Sequence, residues 1–129
     1  MAAESRRQVD GPIRGHLVRV VDGDTIEVLA RIWPDHYVET LVRLAAIDAP
    51  ELRGRCAREI EMAERAKARL AALLSGNRLQ LTDIRYGKYA GRVVARVLTE
   101  DGRDVGQILL EEKLVRAYDG GRRGAWCPE

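Results

Sequence analysis

Three stretches of strand character, one long amphipathic stretch, two further strands and a short helix follow one another along this chain. That order predicts an α+β, mainly β domain: a five-stranded OB-type Greek-key barrel. The long helix lies between strands 3 and 4, and the short one follows strand 5. A ferredoxin-like sandwich would need a helix after its first strand, and none is legible there. At 129 residues the chain reads as one domain, able to bury roughly two-thirds of its unfolded surface without staples. The expected division is a disordered lead-in over 1–11, the barrel over 12–118, and a tail over 119–129 packed on or near it.

The first strand is expected over Leu17–Val21, and Asp22-Gly23-Asp24 is a turn signal between apolar runs. Thr25 to Ile32 alternates, with Ile26, Val28, Ala30 and Ile32 facing one way. Trp33-Pro34-Asp35-His36 connects to a third strand, Tyr37–Ile47. That strand exits through Asp48-Ala49-Pro50-Glu51, where Pro50 stops ladder pairing and holds Ala49 extended. From Cys56 to Leu74, apolar residues recur at three and four: Ile60, Ala63, Ala66, Leu70, Leu73 and Leu74. Glu61 and Arg65 form a favourable i,i+4 pair, and Gly76 is the expected C′ residue. Strands over Leu79–Ile84 and Arg92–Leu98 flank a basic, aromatic, glycine-punctuated loop, 85–91. Asp104 caps the short helix with Gln107 placed for a capping box, and Leu114–Tyr118 is a last extended piece.

The composition is 46% hydrophobic and 33% charged, with net charge +2 and no Phe. Aliphatic residues must therefore fill the core. So small a net charge gives no histone-like affinity for polyanions, and any contact with nucleic acid must come from locally placed arginines. No run approaches the eighteen apolar residues of a membrane helix, and the first ten residues lack the apolar segment of an export signal. Cys56 and Cys127 are too few for a metal site or a disulfide framework, and they pair only if the compartment is oxidising.

The stretch from Arg43 to Glu51 places Arg43, Asp48 and Glu51 among apolar neighbours. Charged groups at a half-buried strand end must be paired, hydrated or bound to something. A strand-end salt bridge and a ligand site both remain open on this stretch alone. Asp22 and Asp24 are equally turn residues, and Arg92 equally a surface strand residue. Tyr86, Tyr89 and Tyr118 are rim aromatics or surfaces on which bases stack. Arg116, Arg122 and Arg123 contact phosphate or solvate the tail. His16 and His36 are isolated and receive no role.

Three clusters taken together resemble the staphylococcal nuclease (thermonuclease) family: Val21-Asp22-Gly23-Asp24-Thr25-Ile26, Arg43-Leu44 through Ile47-Asp48-Ala49-Pro50-Glu51, and Lys88-Tyr89-Ala90-Gly91-Arg92. The resemblance spans roughly Ile13 to Tyr118. It implies a calcium-dependent phosphodiesterase acting on DNA and RNA and leaving 3′-phosphate ends. By matching position, Asp24 and Asp48 would supply Ca²⁺ carboxylates and Ala49 a backbone carbonyl. Glu51 would be the general base, Arg43 and Arg92 would hold the scissile phosphate, and Lys88, Tyr89 and Tyr118 would contact substrate. It further implies a monomer with single strands preferred, no membrane partner, and a secreted or periplasmic home. In that setting Cys56 and Cys127 would form a disulfide tying down the tail.

The chain departs from the family in three places. Ala49 stands where the best-known members carry Thr. The loop before Arg92 is one residue longer than the usual Tyr-Gly-Arg. The family's long final helix has no counterpart after Tyr118. The competing reading is a non-catalytic OB-type module that binds nucleic acid or a partner protein. Such degenerate members lose carboxylates or arginines, whereas Asp24, Arg43, Asp48, Glu51 and Arg92 are all present here.

Overall fold

Strand β3 (Thr25–Trp33) shows the pattern from which the barrel is built. Ile26, Val28 and Ala30 turn inward and are buried, while Glu27, Leu29 and Arg31 between them face outward. The computed structural model describes residues 8–87, 91–121 and 124–128. Within it, β1 is Gln8–Val9, β2 Ile13–Asp22, β4 His36–Leu44, β5 Ile47–Asp48, β6 Arg78–Tyr86, β7 Arg92–Thr99 and β8 Arg116–Ala117. Helix α1 is Ala57–Leu73 and α2 is Val105–Glu111. Strands β2, β3, β4, β7 and β6 hydrogen-bond in that order, and β6 pairs back to β2, closing a five-stranded barrel. All barrel pairings are antiparallel except β4 with β7. This is the OB-type barrel that the element order predicts.

The core is aliphatic, as a chain without Phe requires. Val42, Leu44, Leu79, Leu81, Ala95 and Val97 line the barrel, Leu70 and Leu74 come from α1, and Val105 and Leu109 from α2. Each fully buried side chain of this kind contributes about 1.5–3 kcal/mol relative to exposure. Helix α1 begins at Cys56, whose sulfur accepts the Glu59 N–H, and the expected Glu61–Arg65 pair forms at 3.0 Å.

Several expectations are corrected. Gln8–Val9, inside the stretch expected as a disordered lead-in, pairs with β6. Ile32 is 55% exposed, because an irregularity between Arg31 and Trp33 breaks the alternation. The third strand is not continuous to Ile47. It stops at Leu44, the chain turns at Ala46 (φ 65°), and Ile47–Asp48 pairs with β8 outside the barrel. Gly76 is not the left-handed residue after α1; Asn77 is, at φ 63°. Asp104 does cap α2 through the Gln107 N–H, but the Gln107 side chain reaches forward to Glu111, so no reciprocal capping box forms.

One close approach fixes the geometry of the barrel's functional end. A Cβ built on Gly23 would lie 2.7 Å from the Ala66 Cβ and 3.0 Å from the Ala49 Cβ. The Asp22-Gly23-Asp24 turn is thus wedged against α1, where Ala63 and Ala66 are small enough to admit it. Gly23→Ala should destabilise the protein by about 1–3 kcal/mol through overpacking, read as a lower urea midpoint. Ala66→Gly in the same chain should recover part of that loss in a double-mutant cycle. Independent, additive effects would show that the turn and the helix do not meet there.

Candidate active site

Asp24 ends the β2–β3 turn with 6% of its surface exposed, and its carboxylate is held from three sides. The Thr25 hydroxyl donates to Oδ1 at 2.9 Å, the Ala49 N–H donates to Oδ2 at 3.0 Å, and the Arg43 Nη2 lies 3.7 Å from Oδ2. Arg43 reaches it because β4 pairs with β3 in the register Thr25↔Arg43. Arg43 Nη2 also stands 3.7 Å from Asp48 Oδ1, while its Nη1 donates to the Ile47 carbonyl at 2.9 Å. Asp48 is 3% exposed. Two nearly buried carboxylates therefore flank one guanidinium, which balances only part of their charge.

Asp22 adds a third acid. Its own Oδ1 accepts the Asp24 N–H at 3.0 Å. Burial pushes the Asp22 carboxyl up to about 7, reinforced by the hydrogen bond and charge of Asp24 and by the charge of Glu51. Burial also acts to raise Asp24, but the hydrogen bond from Asp22, the Arg43 charge, the Ala49 N–H and the Thr25 hydroxyl together hold it below the ordinary carboxylate range. Of the two, Asp22 is the acid that keeps its proton to higher pH. In the sequence Asp22 is legible as a turn residue, and the Asp-Gly-Asp spacing is its further signal.

Glu51 is exposed, at the start of the loop between Pro50 and α1. That loop is organised by Glu59, a residue given no role on sequence. Glu59 is 6% exposed; its Oε2 accepts the Glu51 N–H and its Oε1 the Arg55 N–H, both at 3.1 Å. Gly54 leaves room for the Glu59 side chain, since a Cβ there would lie 2.6 Å from its Cγ. The signal in the sequence was an acid on the buried stripe of an amphipathic helix. The same helix end carries the Cys56–Cys127 disulfide. The tail is held a second time by Arg116, which stacks 3.8 Å from the Trp126 ring and donates to the Ala125 carbonyl at 2.7 Å.

A groove of about 570 Å³ opens beside the carboxylates, lined by Arg43, Arg85, Arg92 and Tyr118 among others. The pairings Arg43↔Val94 and Arg85↔Val94 put Arg43 and Arg85 in one row across β4, β7 and β6, and Leu41↔Arg92 sets Arg92 one step along on the same face. Tyr118 lies under the Arg43 guanidinium, 5.5 Å from carbon to ring centre. It is placed by the β5–β8 ribbon and by its N–H bond to the Ala46 carbonyl, 2.8 Å. The structure thus gathers Asp24, Arg43, Asp48, Ala49, Arg92 and Tyr118 at one end of the barrel. It adds Arg85, which sequence reading took only as part of a loop. Lys88 and Tyr89, proposed as substrate contacts, and Arg122 and Arg123 lie outside the described residues.

Chemically, the end of the barrel offers an anion cradle of guanidinium groups next to a cluster of hard oxygen donors. Among the described residues, no three His, Cys, Asp or Glu side chains converge as a ready-made metal cage. The donor set nevertheless suits a hard divalent cation that takes backbone and water oxygens as well as carboxylates. Burial first, and then the neighbouring acids, keep a proton on Asp22 near neutrality, and a bound cation would favour its release.

Residues 41–124 match the family described as staphylococcal nuclease homologue. An uncharacterized endonuclease of Escherichia coli is 31% identical over 110 residues, covering 83% of this chain and 62% of that protein. A micrococcal nuclease of Shigella flexneri is 36% identical over 113 residues, covering 81% and 58%. Protein ParB of Escherichia coli is 39% identical over 85 residues, covering 63% and 41%. With the barrel, the carboxylate cluster and the arginine groove in place, these matches make the chain a member of the staphylococcal nuclease family. It spans about three-fifths of the length of the two nuclease-named relatives.

Two predictions follow from this geometry. The folded Asp22 pKa lies above its unfolded value, so its contribution to stability is full below about pH 4 and is lost as pH rises toward 7. Asp22→Asn should flatten that part of the pH–stability curve of the metal-free protein; an unchanged slope in chemical denaturation would contradict the assignment. Glu59→Ala should cost about 0.5–1.5 kcal/mol by removing the acceptor of the Glu51 and Arg55 N–H groups. Hydrogen exchange at the Glu51 and Arg55 amides should quicken beyond the global change, and unaltered protection there would contradict the role given to Glu59.

Proposed function

We propose that this domain is a calcium-dependent nuclease that hydrolyses the phosphodiester bonds of DNA or RNA and leaves 3′-phosphate ends. The observation that carries the reading is the meeting, at one barrel end, of two buried carboxylates with a groove lined by Arg43, Arg85 and Arg92. A phosphodiester is anionic, and its transition state gathers further charge on the equatorial oxygens. Arginine forks match those oxygens two bonds at a time. Arg43 and Arg92 are the groups assigned to the scissile phosphate, with Tyr118 and Arg85 contacting the adjoining nucleotide or backbone.

Glu51 is the group assigned to receive the proton of the attacking water. It is exposed to solvent at the mouth of the site, and Glu59 fixes its backbone. General-base assistance of this kind contributes typically 10²–10⁴-fold. Asp24 and Asp48 would hold the calcium ion, with the Ala49 carbonyl and water completing its oxygen shell. Bound there, the ion would neutralise the acids and polarise a phosphoryl oxygen. Ala49 presents its N–H to Asp24 and thereby orients that carboxylate, which a Thr side chain is not needed to do.

Support also comes from the nuclease names of two relatives, one an endonuclease and one a micrococcal nuclease. A monomer with single strands as the preferred substrate, in a secreted or periplasmic setting suited to the Cys56–Cys127 bond, completes the proposal.

The test is digestion of single-stranded DNA in Ca²⁺ and then in EDTA. Cleavage should stop on chelation and return with Ca²⁺. Glu51→Gln should lower kcat by about 10²-fold or more, and Arg43→Ala should reduce kcat/KM at least as far, with circular dichroism unchanged in both. Equal turnover in Mg²⁺, or near-normal turnover in either variant, would contradict the corresponding assignment. Calcium-independent binding without cleavage would instead favour the non-catalytic module.

A further inference from the structure

A second groove, of about 400 Å³, lies on the outer face of the barrel at the opposite end of β2 and β3 from the carboxylates. Arg14, His16, Arg31, Tyr37 and Arg78 line it, together with one acid, Glu100. The β2–β3 ladder runs His16↔Leu29 and Gly15↔Ala30, and Arg14 and Arg31 are the next residues on the two strands, both lining the groove. Arg31 in turn pairs with Tyr37, and His16 with Arg78. Like charges directly opposite each other on a sheet face are destabilising, and nothing in the packing of the barrel calls for them. Arg78 meets Glu100 at 3.4 Å, but among the described residues neither Arg14 nor Arg31 has an ion-pair partner. The chain as a whole carries only +2, so this is a local concentration of positive charge. Two rings complete the groove: His16 and Tyr37 stand 6.1 Å apart at 49°, and Tyr37 is 47% exposed.

We propose that this face is a second binding site for single-stranded nucleic acid, with Arg14 and Arg31 clamping backbone phosphate and the Tyr37 ring carrying a base. Facing guanidinium groups become favourable when an anion lies between them, and aromatic rings beside a cationic track bind bases without regard to sequence. The choice of nucleic acid over another polyanion rests on the nuclease reading. Arg31 lies six residue steps along β3 from Thr25, which is roughly 20 Å at strand rise. Between the two sites the outer face carries the Arg19–Glu27 ion pair, at 2.8 Å, and Glu39, whose carboxyl Glu27 raises. The groove is thus a separate anchor for a strand long enough to pass over that stretch, and not an extension of the cleavage site.

The test is binding of a fluorescent oligothymidylate of about twenty nucleotides to the whole chain in EDTA, where cleavage plays no part, across a salt series. Arg14→Ser with Arg31→Ser should weaken binding roughly tenfold and lower the salt slope by about 1.4, the value for two phosphate contacts on a single strand. The melting temperature should hold or rise, since a repulsive pair is removed. Tyr37→Leu should weaken binding of the oligonucleotide but not of an abasic strand of the same length. In Ca²⁺, the double variant should raise KM for the long strand and leave cleavage of a trinucleotide unchanged. Equal affinity and slope in the double variant would overturn the site. Weaker binding with no distinction between the abasic and intact strands, and equal competition by inorganic polyphosphate, would overturn its assignment to nucleic acid. Failure of the unsubstituted chain to cut either strand would overturn the nuclease reading, while the EDTA arm would still decide the groove.

Discussion

The Asp24 carboxylate is where the separate parts of this domain are tied together. One oxygen takes the Thr25 hydroxyl at the start of β3 and the other takes the Ala49 N–H beyond β5, with Arg43 from β4 alongside. A buried carboxylate persists only when several donors replace its water shell. Satisfying Asp24 therefore forces the hairpin turn, the end of β4 and the strand-exit segment into one place. The wedge of Gly23 between Ala66 and Ala49 makes this a packing constraint as well as an electrostatic one. Helix α1 can lie against the turn only because the residues at the crossing are Gly and Ala.

A second layer of support comes from elements that carry none of the proposed catalytic groups. The two-residue ribbon of β5 and β8 holds Asp48 on one strand and sets Tyr118 next to the other, under Arg43. The start of α1 supplies Glu59 to the Glu51 loop, and its capping residue is bonded to Cys127. Arg116 belongs to β8 and also stacks on Trp126 of the tail. Tail and loop are thus mechanically connected to the site through a ribbon whose Ile47 and Asp48 are buried while Arg116 and Ala117 are exposed. In an oxidising setting the long loop closed by Cys56 and Cys127 restricts the unfolded chain as well.

What the sequence revealed follows the physics of each element. Strand alternation and the three-and-four repeat are local, so the barrel order and α1 were legible from Ile26, Val28, Leu70 and their neighbours. The break after Leu44 was not, because Ala45-Ala46 gives no turn signal. Ala46 takes a left-handed conformation there, where the Tyr118 N–H bonds its carbonyl. The exposure of Ile32 depends on an irregularity that alternation alone does not reveal. At the site, Asp24, Arg43 and Asp48 are legible in short motifs; Asp22 and Glu59 leave a local signal, an Asp-Gly-Asp spacing and an acid on a buried helix stripe, whose meaning comes from the fold, and Arg85 comes from the fold alone. Their significance lies in what they touch across the chain, and a spacing rule does not carry that. Likewise Arg14 and Arg31 are ordinary surface arginines in the sequence, and become a pair only through the β2–β3 register.

The proposed nuclease chemistry requires the carboxylates at the barrel end to form a cation site beside the anion groove. Calorimetric titration of Ca²⁺ into the substrate-free chain, alongside Asp24→Asn and Asp48→Asn, tests this most directly. One Ca²⁺ should bind the unsubstituted protein, with affinity reduced at least tenfold in each variant and fold retained. The absence of Ca²⁺ binding to the unsubstituted chain, or equal binding by all three proteins, would contradict it.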